Sequence, residues 1–249
     1  KAITLQSENG PATTIIDGNQ ITSVVTIDSG ESSDSVLAGF TVTNGLAGYG
    51  GGLYCVSSSP TLRNCIFSNN VAHYYGGGMY CDNSSAAVED CVFKDNTNNN
   101  WDGGGVICST GTSATFTNCS FLNNSSPRGG GGLAVTTQAH PTLNDCDFSS
   151  NSSSDGGGMS SDKESYPALN NCTFTNNTAA TFGGGMFCLN SSPTLEDCTF
   201  TNNTATTTGG GMFCGIDSSP TLTNCTFTNN VADVWGGGIF CNDSSSPTL

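Results

Sequence analysis

Residues 192–214 read SPTLEDCTFTNNTATTTGGGMFC. The same words return as SPTLTNCTFTNN at 219–230 and GGGIFC at 236–241, and in rougher form as SPTLRNCIFSNNVAHYYGGGMYC at 59–81. Spacing between successive Gly triplets is about 26–27 residues, and a period in this range marks a solenoid, propeller or array. Each copy holds three short extended stretches, G-[MLI]-[FY]-C, T-L and C-x-F, separated by the turn formers Gly, Asn, Ser and Pro. In Cys225-Thr226-Phe227-Thr228 the apolar residues alternate with Thr, the period-2 pattern of a half-buried strand.

One such rung cannot bury its apolar side alone; stacking rungs in register joins those sides into a continuous core. A β-helical coil takes about 20–30 residues per turn and a propeller blade about 40–50. The period therefore predicts an all-β parallel β-solenoid of about nine rungs, one domain over 1–249. Residues 1–49 are its opening rungs and 50–249 its regular GGG/NCxFxNN repeats.

The string SPTLxNCxFxNN…GGGMYC resembles the repeats of right-handed parallel β-helix proteins, the pectate-lyase-like superfamily. The F-x-x-N and GG[A/G]-[ILM] words are also similar to the repeats of chlamydial polymorphic outer-membrane proteins. The resemblance covers essentially the whole chain and implies a right-handed coil. It is specific for fold and weak for function, because this architecture carries lyases, hydrolases, adhesins and fibres alike.

Composition narrows the partners. Only 10% of residues are charged and the net charge is -15. The basic residues are Lys1, Arg63, Lys94, Arg128 and Lys163, too few for a phosphate-binding patch, so no nucleic-acid partner is expected. No apolar run approaches the ~18 residues of a membrane-spanning helix. The last word, Ser246-Pro247-Thr248-Leu249, stops inside a repeat. The sequence is therefore expected to be a segment of a longer chain, or one capped by a neighbouring subunit.

Two repeat positions carry backbone demands. Eight Gly triplets run from Gly50-Gly51-Gly52 to Gly236-Gly237-Gly238, where the backbone is expected to bend or pack too closely for a side chain. Asn closes F-x-x-N at Asn70, Asn96, Asn124, Asn151, Asn177, Asn203 and Asn230. In register, their amides can donate and accept along the axis as a ladder; polar turn residues in a left-handed conformation are the alternative.

The 13 cysteines fall on two sites, one after the Gly triplet and one before the Phe strand. Val135 and Ser161 fill the first site in two rungs. No C-x-x-C pair or nearby His suggests a metal, and no cofactor is called for. A secreted, cysteine-rich chain suits disulfides. The most economical pairing lies within a rung: Cys55–Cys65, Cys81–Cys91, Cys108–Cys119, Cys188–Cys198 and Cys214–Cys225. It leaves Cys146 and Cys172 without partners, and columns of buried free thiols are the alternative.

Eleven Asn-x-Ser/Thr sequons are present, each an acceptor if the chain passes through a glycosylating pathway. Asn83, Asn190 and Asn242 fall in the turn after the Gly-Cys strand; Asn123, Asn176 and Asn202 are the first Asn of the pair and are expected to face outward. Asn124 and Asn151 sit at ladder positions and are expected to stay unmodified, while Asn118, Asn171 and Asn224 abut a Cys. Aromatic residues precede several triplets, among them Tyr75, Trp101, Phe182 and Trp235. They suit stacking on sugars or packing on a partner. Asp102, Asp155 and Asp233 occupy the same loops, Arg128 is not beside an acidic cluster in sequence, and His73 and His140 lie in different kinds of rung.

These features predict no enzyme but an extracellular or cell-surface structural solenoid, self-associating into a fibre or filament and bearing covalent glycans. A carbohydrate-binding module or adhesin with a carbohydrate or host-surface ligand is the alternative, and a polysaccharide lyase or hydrolase the third reading. All three present the sides of the coil, and a cleft of converging acidic groups is not expected.

Overall fold

The computed structural model describes residues 2–242 and 244–248; Lys1, Asp243 and Leu249, the last letter of the closing SPTL word, lie outside the described residues. Among the described residues there is no helix. Three parallel sheets of nine strands each run the length of the molecule. The first passes from Thr4–Gln6 to Thr221–Thr223, the second from Ile15–Asp17 to Thr226–Thr228, and the third from Val25–Ile27 to Ile239–Cys241. Each turn of chain contributes one strand to each sheet, giving nine rungs and, at ~4.8 Å per rung, a tower about 40 Å long.

The rungs stack residue on equivalent residue. Phe174 pairs with Phe200 and Phe200 with Phe227 in the second sheet; Leu169 pairs with Leu195 in the first; Met186 pairs with Met212 in the third. The interior is therefore a bundle of like-on-like columns. The phenyl rings from Phe121 to Phe227 stack at centroid spacings of 4.5–4.6 Å, nearly parallel. Sheet spacing sets that distance, and each ring packs on both neighbours.

The Gly triplet meets its demands in sequence. Gly183 has φ +65°, and a Cβ on Gly184 would lie 2.4 Å from the carbonyl oxygens of Gly210 and Thr204. A Cβ on Gly185 would come within 2.6 Å of the Gly211 oxygen and 2.8 Å of the Phe200 ring. The first glycine supplies a left-handed turn and the other two supply closeness.

Asn residues closing F-x-x-N form an amide ladder. Asn151 Nδ2 donates to Asn177 Oδ1 at 3.0 Å and to the Phe121 carbonyl at 2.8 Å, while its backbone N–H donates to the same Asn177 oxygen. The pattern runs from Asn70 through Asn96, Asn124, Asn151, Asn177 and Asn203 to Asn230. Every one of these except Asn230 is fully buried. The left-handed residue is the one before: Asn123, Asn176 and Asn202 have φ of 53°, 57° and 55° and are exposed. The Asn-Asn pair thus divides two jobs, corner and ladder.

A second ladder is made of hydroxyls. The Ser58 N–H donates to Ser84 Oγ, the Ala139 N–H to Ser165 Oγ, and the Ser191 N–H to Ser218 Oγ. No repeated word in the sequence marks it. These residues stand two before Pro60, Pro141, Pro167, Pro193 and Pro220, or two before Ala86 and Ala114; that offset was the available signal.

The within-rung disulfides are not formed. All thirteen cysteines are free thiols, standing in two separate columns. Cys55, Cys81 and Cys108 are in register in the third sheet, as are Cys188, Cys214 and Cys241, with Val135 and Ser161 between the two runs. Cys65, Cys91, Cys119, Cys146, Cys172, Cys198 and Cys225 occupy the turn before the Phe strand, their thiols donating to nearby carbonyls such as Leu143 for Cys172. Each supposed pair, Cys55–Cys65 for example, divides between the two columns. Burial pushes the Cys188 and Cys214 thiols far up, so they stay neutral and unreactive.

Two outcomes follow. Asn177→Ala strips partners from two buried neighbours and is expected to cost about 3–5 kcal/mol in chemical denaturation, whereas Asn176→Gly, at the left-handed corner, stays within about 0.5 kcal/mol. Thiol titration is expected to register the Cys188 and Cys214 thiols only after unfolding, and non-reducing peptide mapping to find no Cys55–Cys65 bridge.

Candidate functional site

The fourth side of the coil carries two short sheets. One is built from Leu46–Tyr49, Val71–Tyr75 and Thr97–Asn98, the other from Ser152–Asp155, Thr178–Phe182, Thr204–Ala205 and Val231–Ala232. Between them lies the rung Ser125-Ser126-Pro127-Arg128-Gly129, joined only by isolated bridges at Ser125 and Gly129. Pro127 has no N–H to give to a ladder, so continuous pairing is lost there.

Just before the triplets, one column reads Tyr49, Tyr75, Asp102, Gly129, Asp155, Phe182, Thr208 and Trp235. Beside it, the outward face of the third sheet reads Tyr54, Tyr80, Ile107, Ala134, Ser160, Phe187, Phe213 and Phe240. Large rings stand at both ends of both columns, and Gly129, Ala134 and Ser160 leave the middle low. The resulting depression is an open cleft of about 260 Å³. Tyr75, Trp101, Phe187 and Leu189 form its apolar rims, and Asp102, Arg128, Asp155, Asp162 and Lys163 bring charge to it.

The Arg128 guanidinium lies 4.4 Å above the centre of the Trp101 ring, a cation–π contact that flattens both against the wall. One oxygen of Asp155 and one of Asp162 are shut off from water with no hydrogen-bond partner. Burial, reinforced by the charge of Asp162 and opposed by Arg128, holds the Asp102 carboxyl above its ordinary range. Burial does the same for Asp155. Gly129 keeps the middle clear, since a Cβ there would lie 2.9 Å from Ser160 Oγ and 3.0 Å from Asp102 Oδ1.

The structure thus joins residues that the sequence leaves far apart. Tyr75 and Trp101 meet at a centroid distance of 6.1 Å on one rim. Phe182 pairs beside Asp155 and stacks 4.8 Å from Phe213; Trp235, 63% exposed, stands two rungs further on against Phe240. Asp233 does not line the cleft. Arg128 does, together with Asp102, Asp155 and Asp162, which corrects the expectation that no cleft gathers acidic groups. Sequence reasoning missed Ser160, Asp162 and Lys163; the fourth glycine at Gly129 and Pro127, two residues before it, were the visible signs. Among the described residues, no set of three or more His, Cys, Asp or Glu side chains is placed to hold a metal ion.

The sequon asparagines lie elsewhere, at the corners of the coil. Asn83, Asn123, Asn176, Asn190, Asn202 and Asn242 are exposed, although Asn123 Nδ2 already donates to Asp95 Oδ1 at 2.6 Å and Asn83 Nδ2 to Ser57 Oγ at 3.2 Å. Asn124 and Asn151 are sealed in the ladder.

A family model described as a right handed beta helix region matches residues 2–121 and 104–249. No curated protein and no solved structure matches the chain.

A carboxyl with its pKa raised in the native state binds its proton more tightly folded than unfolded, so it stabilises the fold as pH falls through the native pKa and not above it. Asp102→Asn is accordingly expected to raise the thermal midpoint at neutral pH. The advantage over wild type shrinks as pH falls toward the ordinary carboxylate range, as differential scanning fluorimetry across that interval will show.

Proposed function

The chain belongs to the right-handed β-helix family, and from that architecture and its one irregular face we propose that it is a non-catalytic, extracellular or cell-surface solenoid that binds carbohydrate along its side. The observation that carries the reading is the cleft itself. It sets the carboxyl groups of Asp102, Asp155 and Asp162 and two cationic side chains between aromatic rims. Sugar hydroxyls donate to carboxylates and accept from Arg128 and Lys163, and the apolar faces of pyranose rings suit Tyr75 and Trp101. A stiff tower with a uniform polar exterior holds such a site in a fixed place. Covalent glycans on the exposed corners and end-to-end self-association into a fibre belong to the same reading.

One observation favours hydrolysis as the second reading. Asp102 and Asp155 stand two rungs apart, about 10 Å by sheet spacing, near the carboxyl separation of inverting glycosidases, ~6.5–9.5 Å. Raised carboxyl pKa values suit a general acid.

Titration with a panel of neutral and acidic oligosaccharides separates the readings. Binding without product release, weakened about tenfold by Trp101→Ala, is the expected result. Product release that stops in Asp102→Asn and Asp155→Asn would replace binding by hydrolysis, and no binding to any glycan would remove both.

A further inference from the structure

Five of the six tyrosines occupy one patch. Tyr49 and Tyr54, then Tyr74, Tyr75 and Tyr80, lie on consecutive rungs, with Tyr49 in register with Tyr75 and Tyr54 with Tyr80. Tyr49 is the hub: its ring centre lies 5.5 Å from that of Tyr74, 6.0 Å from Tyr75 and 5.2 Å from Tyr80. Tyr49 and Tyr74 are 42% and 46% exposed. The side-chain hydrogen bonds that reach these two residues stop at their backbone: Ser23 Oγ donates to the Tyr49 carbonyl and Asn98 Nδ2 to the Tyr74 carbonyl. Among the described residues, no hydrogen bond ties down either phenol oxygen.

Packing alone does not require hydroxyls on this patch. The equivalent positions at the other end of the same face carry Phe182, Phe187, Phe213 and Phe240, which stack at similar distances without them. What the tyrosine patch adds is phenol chemistry: two exposed rings with centres 5.5 Å apart, on consecutive rungs that no covalent bond joins except the chain itself.

We propose that Tyr49 and Tyr74 are a site of oxidative phenol coupling, forming a dityrosine that staples two consecutive rungs. The oxidant is a peroxide acting through a haem peroxidase. It removes one hydrogen atom from each phenol oxygen, and the two ring radicals join by a carbon–carbon bond at the positions ortho to oxygen. The ortho hydrogens return to the oxygens, restoring two phenols, and the peroxide leaves as two waters. Tyr75 and Tyr80 flank the pair. Burial pushes both of their phenols above the ordinary range, and their part is to hold the Tyr49 ring in place. The staple does not depend on the glycan reading of the cleft.

The chain carries its own assay. Trypsin cuts at Arg63, between Tyr49 and Tyr74, so coupling joins two peptides that otherwise separate. The intact chain is treated at low concentration with peroxidase and limiting hydrogen peroxide. The expected product is a monomer lighter by two hydrogens, with dityrosine fluorescence, a cross-link between peptides 2–63 and 64–94, and a raised thermal midpoint. Tyr49→Phe keeps the ring and is expected to lower the yield by at least an order of magnitude; Tyr74→Phe does the same should the first variant fold poorly. Tyr166→Phe, at the ring stacked on His140, leaves the yield unchanged. Absence of the cross-link, undiminished yield in both Tyr49→Phe and Tyr74→Phe, a cross-link through Tyr166 instead, or only dimers that vanish on dilution would overturn the proposal.

Discussion

Each inward side chain must accept a copy of itself, or of its equivalent, one rung above and one below. The sheets fix that spacing, and the choice of residues follows from it. Phe, Leu and Met satisfy the condition by packing on their own kind. Asn satisfies it because one amide carries both a donor and an acceptor, so that Asn177 can receive from Asn151 and give to Asn203 without a foreign partner. Ser meets it with a hydroxyl. A charged side chain cannot stack on its like inside the coil, and among the described residues none is buried there.

The same condition reaches the exterior corners. The left-handed residue before the Phe strand reads Asn64, Asp90, Asn118, Asp145, Asn171, Asp197 and Asn224 up the tower. Asn and Asp alternate, so no carboxylate rests directly on another, a juxtaposition that repels. Instead Asn118 Nδ2 donates to Asp90 Oδ1 at 2.6 Å and Asn171 Nδ2 to Asp145 Oδ1 at 2.7 Å. An acidic chain with few cations can thus carry a column of Asp along one edge by diluting it with amides.

What was legible in the sequence was what repeats. The Phe column, the amide position and the Gly triplet recur with the period, and periodicity alone places them. The cysteine arrangement was misread because nearness along the chain is a poor guide to nearness in a coil. Cys55 and Cys65 are close in sequence but belong to different sides, while Cys55 and Cys81, a full turn apart, are neighbours. The hydroxyl ladder was hidden by its tolerance, since Ser, Thr and even Ala139 occupy it. The cleft was hidden for the opposite reason: its residues share no motif, and only the column register brings Asp102, Asp155 and Asp162 to one place.

In a molecule whose stability comes from sameness, a site has to be made by departure from it, and the departures here are concentrated. Pro127 interrupts the fourth side. Val135 and Ser161 replace cysteine inside the third sheet, while Gly129 and Ser160, on the outside of the same two rungs, are the small residues that line the cleft. Ala139 breaks the hydroxyl ladder in the rung that holds Val135. Interior and exterior substitutions thus fall on the same two rungs, although the packing of the core and the shape of the surface impose separate demands. Their coincidence sets that face apart from the rest of the coil, and it is there that Asp102, Asp155 and Asp162 converge.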